Sequence, residues 1–203
     1  ATVGLMTVQT TKSVDEAIEA MKERLEKSRS VKVLATVDHA KNADDAGMEL
    51  GASQLLIFTN PSLEIPLVAD SLSAGLDMPQ KVLVWKGDDG KTNVTFNAPA
   101  YVAVRHGVKH LDLFLGRIES GLANVVKNST GTTVPKLPHR EDIGIEEGQG
   151  IITRESQNGV SDTWDKLATH IEENDKLKLI AKVDMTKNAK AIKKDLRPAK
   201  LII

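Results

Sequence analysis

Histidines are the residues of this 203-residue sequence whose types and spacing best suit chemistry. His39 follows Asp38 at the expected end of a strand, and a neighbouring carboxylate can orient an imidazole for base catalysis or ligand binding. His106 and His110 are four residues apart, so a helix would place both on one face, as in a metal site. Gly107 weakens that helix and no nearby carboxylate supplies a third ligand, so surface histidines are the simpler interpretation.

The stretch GDDGKT, residues 87–92, ends like a phosphate-binding loop but lacks its other requirements. That loop needs a glycine at the position of Trp85 and a helix after it, whereas a strand pattern follows here. No Ser-His-Asp spacing, paired carboxylates or glycine-rich dinucleotide turn occurs, and there is no cysteine. We therefore favour a non-enzymatic role, and an enzyme of unknown reaction stays a further alternative.

Composition narrows the class of protein. Hydrophobic residues make up 40% and aromatic residues 3%, which predicts a sizeable aliphatic core, and a net charge of −1 gives no general attraction to nucleic acid. No apolar run approaches the roughly 20 residues that span a bilayer. We expect a soluble protein with no nucleic-acid partner and no membrane span. The chain begins with Ala1, which is compatible with removal of a signal or transit peptide, and its compartment stays open.

An internal repeat sets the predicted domain map. KVLATVDHAKNADDAGMELGASQLLI (32–57) resembles KLIAKVDMTKNAKAIKKDLRPAKLII (178–203) without a gap, so that residue n matches residue n + 146. Val37-Asp38 falls on Val183-Asp184, whereas His39 falls on Met185. We predict a first domain at 1–127, a mobile linker at 128–149, and an incomplete second copy at 150–203.

Hydrophobic periodicity and turn signals predict the elements of both copies. A capping box at Ser13-Val14-Asp15-Glu16 should begin an amphipathic helix over 14–28, and Asp88-Asp89-Gly90 should join two strands of a hairpin. The other predicted elements are strands at 4–10, 31–39 and 53–59, a short helix or turn at 40–50, a helix at about 109–127, and, in the second copy, strands at 150–156 and 177–184 around a helix at 160–174. This order is typical of an α+β domain with a largely antiparallel sheet.

The first copy resembles the family called domain of unknown function 302 over roughly residues 4–108. The matching residues are Asp38-His39-Ala40, Ala43, Gly47, Leu50, Leu56-Ile57-Phe58, Asn60-Pro61, Pro66-Leu67, Met78-Pro79, Val82-Leu83-Val84-Trp85, Gly90, Tyr101 and Arg105-His106-Gly107. The family usually has Phe-Gly-Asn-Pro, and Thr59 replaces that glycine here. The resemblance implies tandem TATA-binding-protein-like domains, each a curved, mainly antiparallel sheet with packed helices, in small homo-oligomers of no settled activity.

Candidate ligand-binding residues follow from the same resemblance. They are His39, Asn60, Tyr101 and His106, around the concave face of the sheet. A small ligand or a haem-type cofactor is the alternative function that these residues support, and no particular cofactor is indicated. The loss of the histidine at Met185 counts against a site used in both copies.

Opposite charges on equivalent segments favour self-assembly as the function. The acidic residues of the first copy are Asp44, Asp45 and Glu49, and the basic residues of the second are Lys190, Lys193, Lys194 and Arg197. Such surfaces suit head-to-tail association into a filament or shell, although solvated helix faces would look the same. Leu201 and Ile203 complete the predicted interface, because apolar residues near a sheet edge should be paired or covered.

Overall fold

The structure is a computed structural model that describes residues 4–203. Its first part comprises β1 (Leu5–Thr10), α1 (Val14–Glu26), β2 (Lys32–Asp38), α2 (His39–Asp45), β3 (Ser53–Thr59), α3 (Pro61–Asp70), a 3-10 turn (Leu72–Leu76), β4 (Gln80–Lys86), β5 (Thr92–Asn97), α4 (Pro99–His106) and α5 (Asp112–Thr130). A second 3-10 turn (Arg140–Asp142) precedes α6 (Val160–Glu172), β6 (Lys182–Asp184), α7 (Met185–Ala191) and β7 (Lys200–Ile202).

A five-stranded antiparallel sheet with strand order β1-β5-β4-β3-β2 forms the centre of the first part. Cross-strand partners on one face are buried: Leu56 lies opposite Val82, and Val82 lies opposite Phe96. Helices α1 and α5 pack against each other, and their apolar residues share a core with this face. The predicted α+β class with a largely antiparallel sheet is therefore confirmed.

Helix α1 begins where its sequence predicts. Glu16 N–H donates to the Ser13 hydroxyl over 3.2 Å, and Ser13 N–H donates to the Glu16 carboxylate over 2.8 Å. These two hydrogen bonds satisfy donors that the first helical turn leaves free. Ala17, Ile18 and Met21 then recur on the buried face of the helix.

Two helix boundaries differ from the sequence prediction, and each has a local cause. His39 opens α2 instead of ending a strand, because the Asp38 carboxylate accepts a hydrogen bond from Lys41 N–H (2.9 Å) and caps the helix. His106 ends α4 before the left-handed Gly107, and His110 has a φ of 56°, so α5 starts only at Asp112. His106 and His110 therefore do not share one helix face.

The segment after α5 lies against the first part of the chain. Leu137 and Ile143 are buried, and the Arg140 guanidinium donates to the Val108 carbonyl and to Asp112. Farther on, Gly148 N–H donates to the Arg105 carbonyl over 2.7 Å. The linker assigned to 128–149 is thus anchored at several points, and its mobility stays a prediction.

The elements after residue 150 match those of the first part at the same spacing of 146. Helices α6 and α1 are both 13 residues long, and α7 and α2 are both 7. The Asp184 carboxylate caps α7 through Lys187 N–H at 2.9 Å, as Asp38 caps α2. The duplication itself remains our prediction, and this correspondence supports it.

The strand predicted at 150–156 is not a strand, and the one predicted at 177–184 is reduced to β6. In the first part β1 pairs only with β5, and residues 150–203 contain no counterpart of β5. A strand without a neighbour leaves its backbone donors and acceptors unpaired. The apolar end of the described chain is paired: β7 is antiparallel to β6, and the Ile203 carbonyl accepts from Ile180 N–H at 2.7 Å.

Helix α7 packs onto α3, and β7 onto the first 3-10 turn. Met185 is 4% exposed and Ala189 is fully buried, and both belong to the core that the first part forms. Contact at the turn is close: a Cβ added to Gly75 would lie 3.0 Å from Met185 Sδ. Residues 150–203, which we call the second unit, therefore pack their apolar side chains against the first part.

We predict that Met185→Glu destabilises the docking of α7 by about 2–4 kcal/mol, because it puts a charge into an apolar contact. The matched control is His39→Glu, at the equivalent position of a helix that has no buried residue; it should change stability by less than about 0.5 kcal/mol. Amide hydrogen exchange across α6, α7 and β7, with urea unfolding, measures both effects. Equal costs for the two substitutions would contradict the observed packing.

Candidate functional site

A half-buried carboxylate connects the first 3-10 turn to the end of α4. Asp77 Oδ2 lies 2.6 Å from His106 Nε2 and accepts from Arg105 Nη1 at 3.0 Å. On the other side of the imidazole, His106 Nδ1 lies 2.9 Å from the Ser73 hydroxyl oxygen. We call Ser73, Asp77, Arg105 and His106 the Asp77 network.

The charges of the Asp77 network compensate one another. Burial alone would raise the pKa of Asp77, but the hydrogen bond from His106 and the charge of Arg105 outweigh it and hold the pKa below its usual value. The order hydroxyl, imidazole, carboxylate resembles a nucleophile relay. The pocket next to this turn, however, is lined by Leu72, Gly75 and Leu76 but not by Ser73. The arrangement joins the turn to the end of α4.

A second polar cluster surrounds Glu64, which is only 5% exposed. The Thr59 hydroxyl donates to Glu64 Oε2 at 2.6 Å, and Asn60 N–H donates to Oε1 at 3.2 Å. Burial raises the pKa of Glu64 above its ordinary value, against the effect of these hydrogen bonds. Burial likewise lowers the pKa of nearby Lys81. We call Thr59, Asn60 and Glu64 the Glu64 cluster.

A pocket of about 80 Å³ opens beside the Glu64 cluster. Its polar lining residues are Asn60, Glu64 and Gln80, and its apolar ones are Leu25, Val31, Phe58, Leu63, Ile118, Leu122 and Val125. Asn60 precedes α3, yet its side chain makes no capping hydrogen bond. Its buried Oδ1 atom has no hydrogen-bond partner among residues 4–203. An apolar pocket with a few convergent polar groups is the usual form of a small-molecule site.

The four predicted ligand-binding residues lie in different environments. Asn60 lines the pocket, and His106 belongs to the Asp77 network. The Tyr101 ring packs against Gly4, which has a φ of 77°. His39 begins α2, and the pocket beside that helix is lined by other residues of its segment. Within the described chain these side chains do not build one site.

Sequence reasoning missed Thr59, Glu64, Ser73 and Asp77. One signal was available: Glu64 is the only charged residue in the apolar run SLEIPLVA at the start of α3, where an unpaired charge would be costly. In the sequence Thr59 stands out only because it replaces the glycine usual in the family, and its hydroxyl is what donates to Glu64. Ser73 and Asp77 carried no such signal, because their partner His106 is distant in sequence.

The predicted assembly residues are divided between exposed and packed positions. Those that lie exposed on or after α2 and α7 are Asp44, Asp45, Glu49, Lys190, Lys193, Lys194 and Arg197. Leu201 and Ile203 are half-buried at β7, where their backbones pair with the β6 region. The charged residues are therefore the accessible part of the predicted interface.

The family described as "Domain of unknown function DUF302" matches residues 6–128. The chain belongs to this family. A crystal structure of an uncharacterized conserved DUF302 protein from Bacillus stearothermophilus matches 62% of this chain and 98% of its own, at 20% identity and a TM-score of 0.56. The likeness shows the DUF302 fold.

Two curated relatives match 63% of the chain at 36% identity over 129 residues. They are the "Fluoride-specific ion channel FluC 1" proteins of Brucella suis biovar 1 (strain 1330) and Brucella abortus biovar 1 (strain 9-941). The match covers 50% and 47% of these relatives, so the DUF302 chain spans about half of their length. Among residues 4–203, no helix has both the length and the apolar character needed to cross a membrane.

Asp77→Asn should destabilise the protein by about 3 kcal/mol at neutral pH, because it leaves Arg105 and His106 without their anion. A pKa held below 3.8 means that Asp77 stabilises the fold above that pH and that this contribution is lost as the pH falls through the lowered value. The deficit of the variant should therefore shrink below pH 3.8, as followed by urea unfolding. Asp112→Asn, which breaks the surface pair with Arg140, is the control and should cost about 1 kcal/mol or less. A deficit that stays constant with pH would contradict the ionised Asp77.

Glu64→Gln should change the pH dependence of stability in the direction opposite to that of Asp77→Asn. Because the folded pKa of Glu64 is raised above 4.5, the folded state holds this proton more tightly than the unfolded state. The wild type should lose stability relative to Glu64→Gln as the pH rises from below 4.5 through the raised value. Urea unfolding at a series of pH values measures the difference, with the exposed Glu26→Gln as control. Parallel profiles for wild type and Glu64→Gln would refute the raised pKa.

Proposed function

We propose that this DUF302 protein is a non-enzymatic association protein whose copies join head to tail. The contact is between the α2 segment (residues 39–51) of one copy and the exposed basic face of α7 in another. The carrying observation is that α7 is docked on the first part of the chain, whereas its counterpart α2 is uncovered.

Exposed apolar side chains make the α2 segment suited to association. None of the residues of α2 is buried, and beyond it Met48 is 63% and Leu50 53% exposed. The residue that matches Leu50 in the second unit, Leu196, packs against the core. The same apolar position is therefore packed in the second unit and exposed to solvent in the first. Exposed apolar surface of this kind often marks a site of protein association.

Opposite charges give the contact its direction. Asp44 and Glu49 form no ion pair among the described residues, and Asp45 pairs only with Lys41 one turn away on the surface (2.8 Å). The exposed basic residues of the second unit, Lys190, Lys193, Lys194 and Arg197, likewise form no ion pair within residues 4–203. Complementary charge fixes register and speeds encounter more than it adds affinity.

Head-to-tail geometry follows from the use of two different surfaces. A two-fold dimer needs the same patch on both partners, whereas an acidic patch meeting a basic one leaves one of each free at the ends. Repetition of the contact gives an open chain or a shell unless the rotation closes a ring. A repeated contact of this kind should give polymers whose length increases with protein concentration.

A charge-reversal pair tests the proposal. Asp44→Lys with Glu49→Lys should abolish association of the full chain, and Lys190→Glu with Lys194→Glu should do the same. An equimolar mixture of the two variants should associate again, because the unchanged basic α7 of one fits the unchanged acidic α2 of the other, and the two reversed surfaces are also complementary in charge. Sedimentation velocity from micromolar to millimolar concentration measures the species present.

Salt and a matched control distinguish a specific contact from general repulsion. Raising ionic strength to about 1 M shortens the Debye length to roughly 3 Å and should dissociate the polymers. Glu19→Lys with Glu23→Lys makes the same change of net charge on the exposed face of α1 and should leave association unchanged. A wild-type protein that stays monomeric at millimolar concentration in low salt would overturn the proposal.

A further inference from the structure

We propose that the pocket beside the Glu64 cluster binds a neutral aliphatic hydroxyl compound, whose alkyl group enters the pocket and whose hydroxyl donates to Asn60. This site is separate from the α2 and α7 surfaces and does not depend on association. The proposal rests on three observations: the pocket itself, the buried Asn60 Oδ1 atom that has no partner among residues 4–203, and the Glu64 carboxylate that lines the same pocket.

The walls of the pocket select an aliphatic group. Phe58, Ile118 and Leu122 are buried residues of β3 and α5, and each contributes an apolar surface. Val31 and Val125 are half-buried, so the pocket reaches the surface beside them. Burying a methylene group here removes it from water at little cost in ordering, because the walls are already packed.

The polar end of the pocket selects a hydrogen-bond donor. Asn60 Oδ1 is an acceptor that is buried without a partner in the described part of the chain, and such an atom costs free energy until a donor reaches it. Glu64 adds further acceptor oxygens next to it. A carboxylate or phosphate ligand would bring more acceptors and repel Glu64 when ionised, whereas a hydroxyl supplies the missing donor.

Glu64 also holds the acceptor in place. Its Oε1 atom accepts from Asn60 N–H at 3.2 Å, and its Oε2 atom accepts from the Thr59 hydroxyl at 2.6 Å. Both bonds fix the strand end that carries the Asn60 side chain. A site held in this way binds without a large loss of its own conformational freedom.

The volume limits the part of the ligand that can be enclosed. An engineered apolar cavity of about 150 Å³ binds benzene, and this pocket has about 80 Å³. It therefore holds a group of about three to five heavy atoms, and a longer molecule would extend past Val125 into solvent. A ligand of that size should bind in roughly the millimolar range.

The test is a titration of the ¹⁵N-labelled full chain with 1-butanol, followed by amide chemical shifts. Methyl propyl ether has the same number of heavy atoms and no donor. The variants are Asn60→Leu, which removes the acceptor, and Val125→Phe, which fills the pocket mouth. Asn124→Leu makes the first substitution at an exposed position of α5 and is the matched control.

Butanol should give saturable shifts at Phe58, Leu63 and Leu122, and the ether should bind at least tenfold more weakly. Asn60→Leu should bind butanol at least tenfold more weakly than the wild type and should no longer distinguish butanol from the ether. Val125→Phe should bind neither compound. Asn124→Leu should bind both compounds as the wild type does. Should Asn60→Leu fail to fold, the ether comparison and Val125→Phe decide. Absence of saturable shifts at these amides, or equal binding of butanol and ether by the wild type, would overturn the inference.

Discussion

The second unit has a surface to dock on because one carboxylate holds the first 3-10 turn in place. Asp77 joins the end of this turn to His106 and Arg105 at the end of α4. Arg105 also donates to the carbonyls of Gln149 and Gly150 in the segment that leads to α6. An anion that is partly withdrawn from water is costly unless its partners are all present, so the positions of the turn, the helix and the segment are linked. Gly75, on the same turn, then presents a face without a side chain to Met185.

The difference between the two related segments is explained by what each would have to bury. At the first position of α7, Met185 fills an irregular apolar contact with a flexible thioether. At the first position of α2, His39 would lose hydration of its imidazole if it were docked in the same way without a polar partner. The acidic side chains that follow His39 add to that cost. The sequence of α2 therefore favours a partially solvated contact with a charged partner over a dry intramolecular one.

Sequence reasoning succeeded where the determinants are local. The capping box that starts α1 and the Asp-Asp-Gly turn between β4 and β5 act within a few residues, and both were predicted at the correct place. The sequence predicts that His39 ends a strand, whereas it begins α2. An aspartate that ends a strand and an aspartate that caps the following helix cannot be distinguished from sequence alone. The strand predicted at 150–156 failed because pairing depends on a distant partner strand. The Asp77 network was out of reach, since its members come together only after α4 packs beside the turn.

The carboxyl groups of Asp77 and Glu64 differ in how completely hydrogen-bond donors surround them, and this difference separates a structural role from recognition. Asp77 has a guanidinium and an imidazole within hydrogen-bond distance, and its network is closed. Glu64 accepts hydrogen bonds from the uncharged donors of Thr59 and Asn60, whereas the adjoining Asn60 Oδ1 accepts none within residues 4–203. A closed network is stable without help from outside and gives a ligand nothing to gain. An incomplete one next to an apolar cavity keeps an unmet hydrogen bond that a bound molecule can complete. Recognition chemistry is therefore expected at the Glu64 cluster, and mechanical support at the Asp77 network.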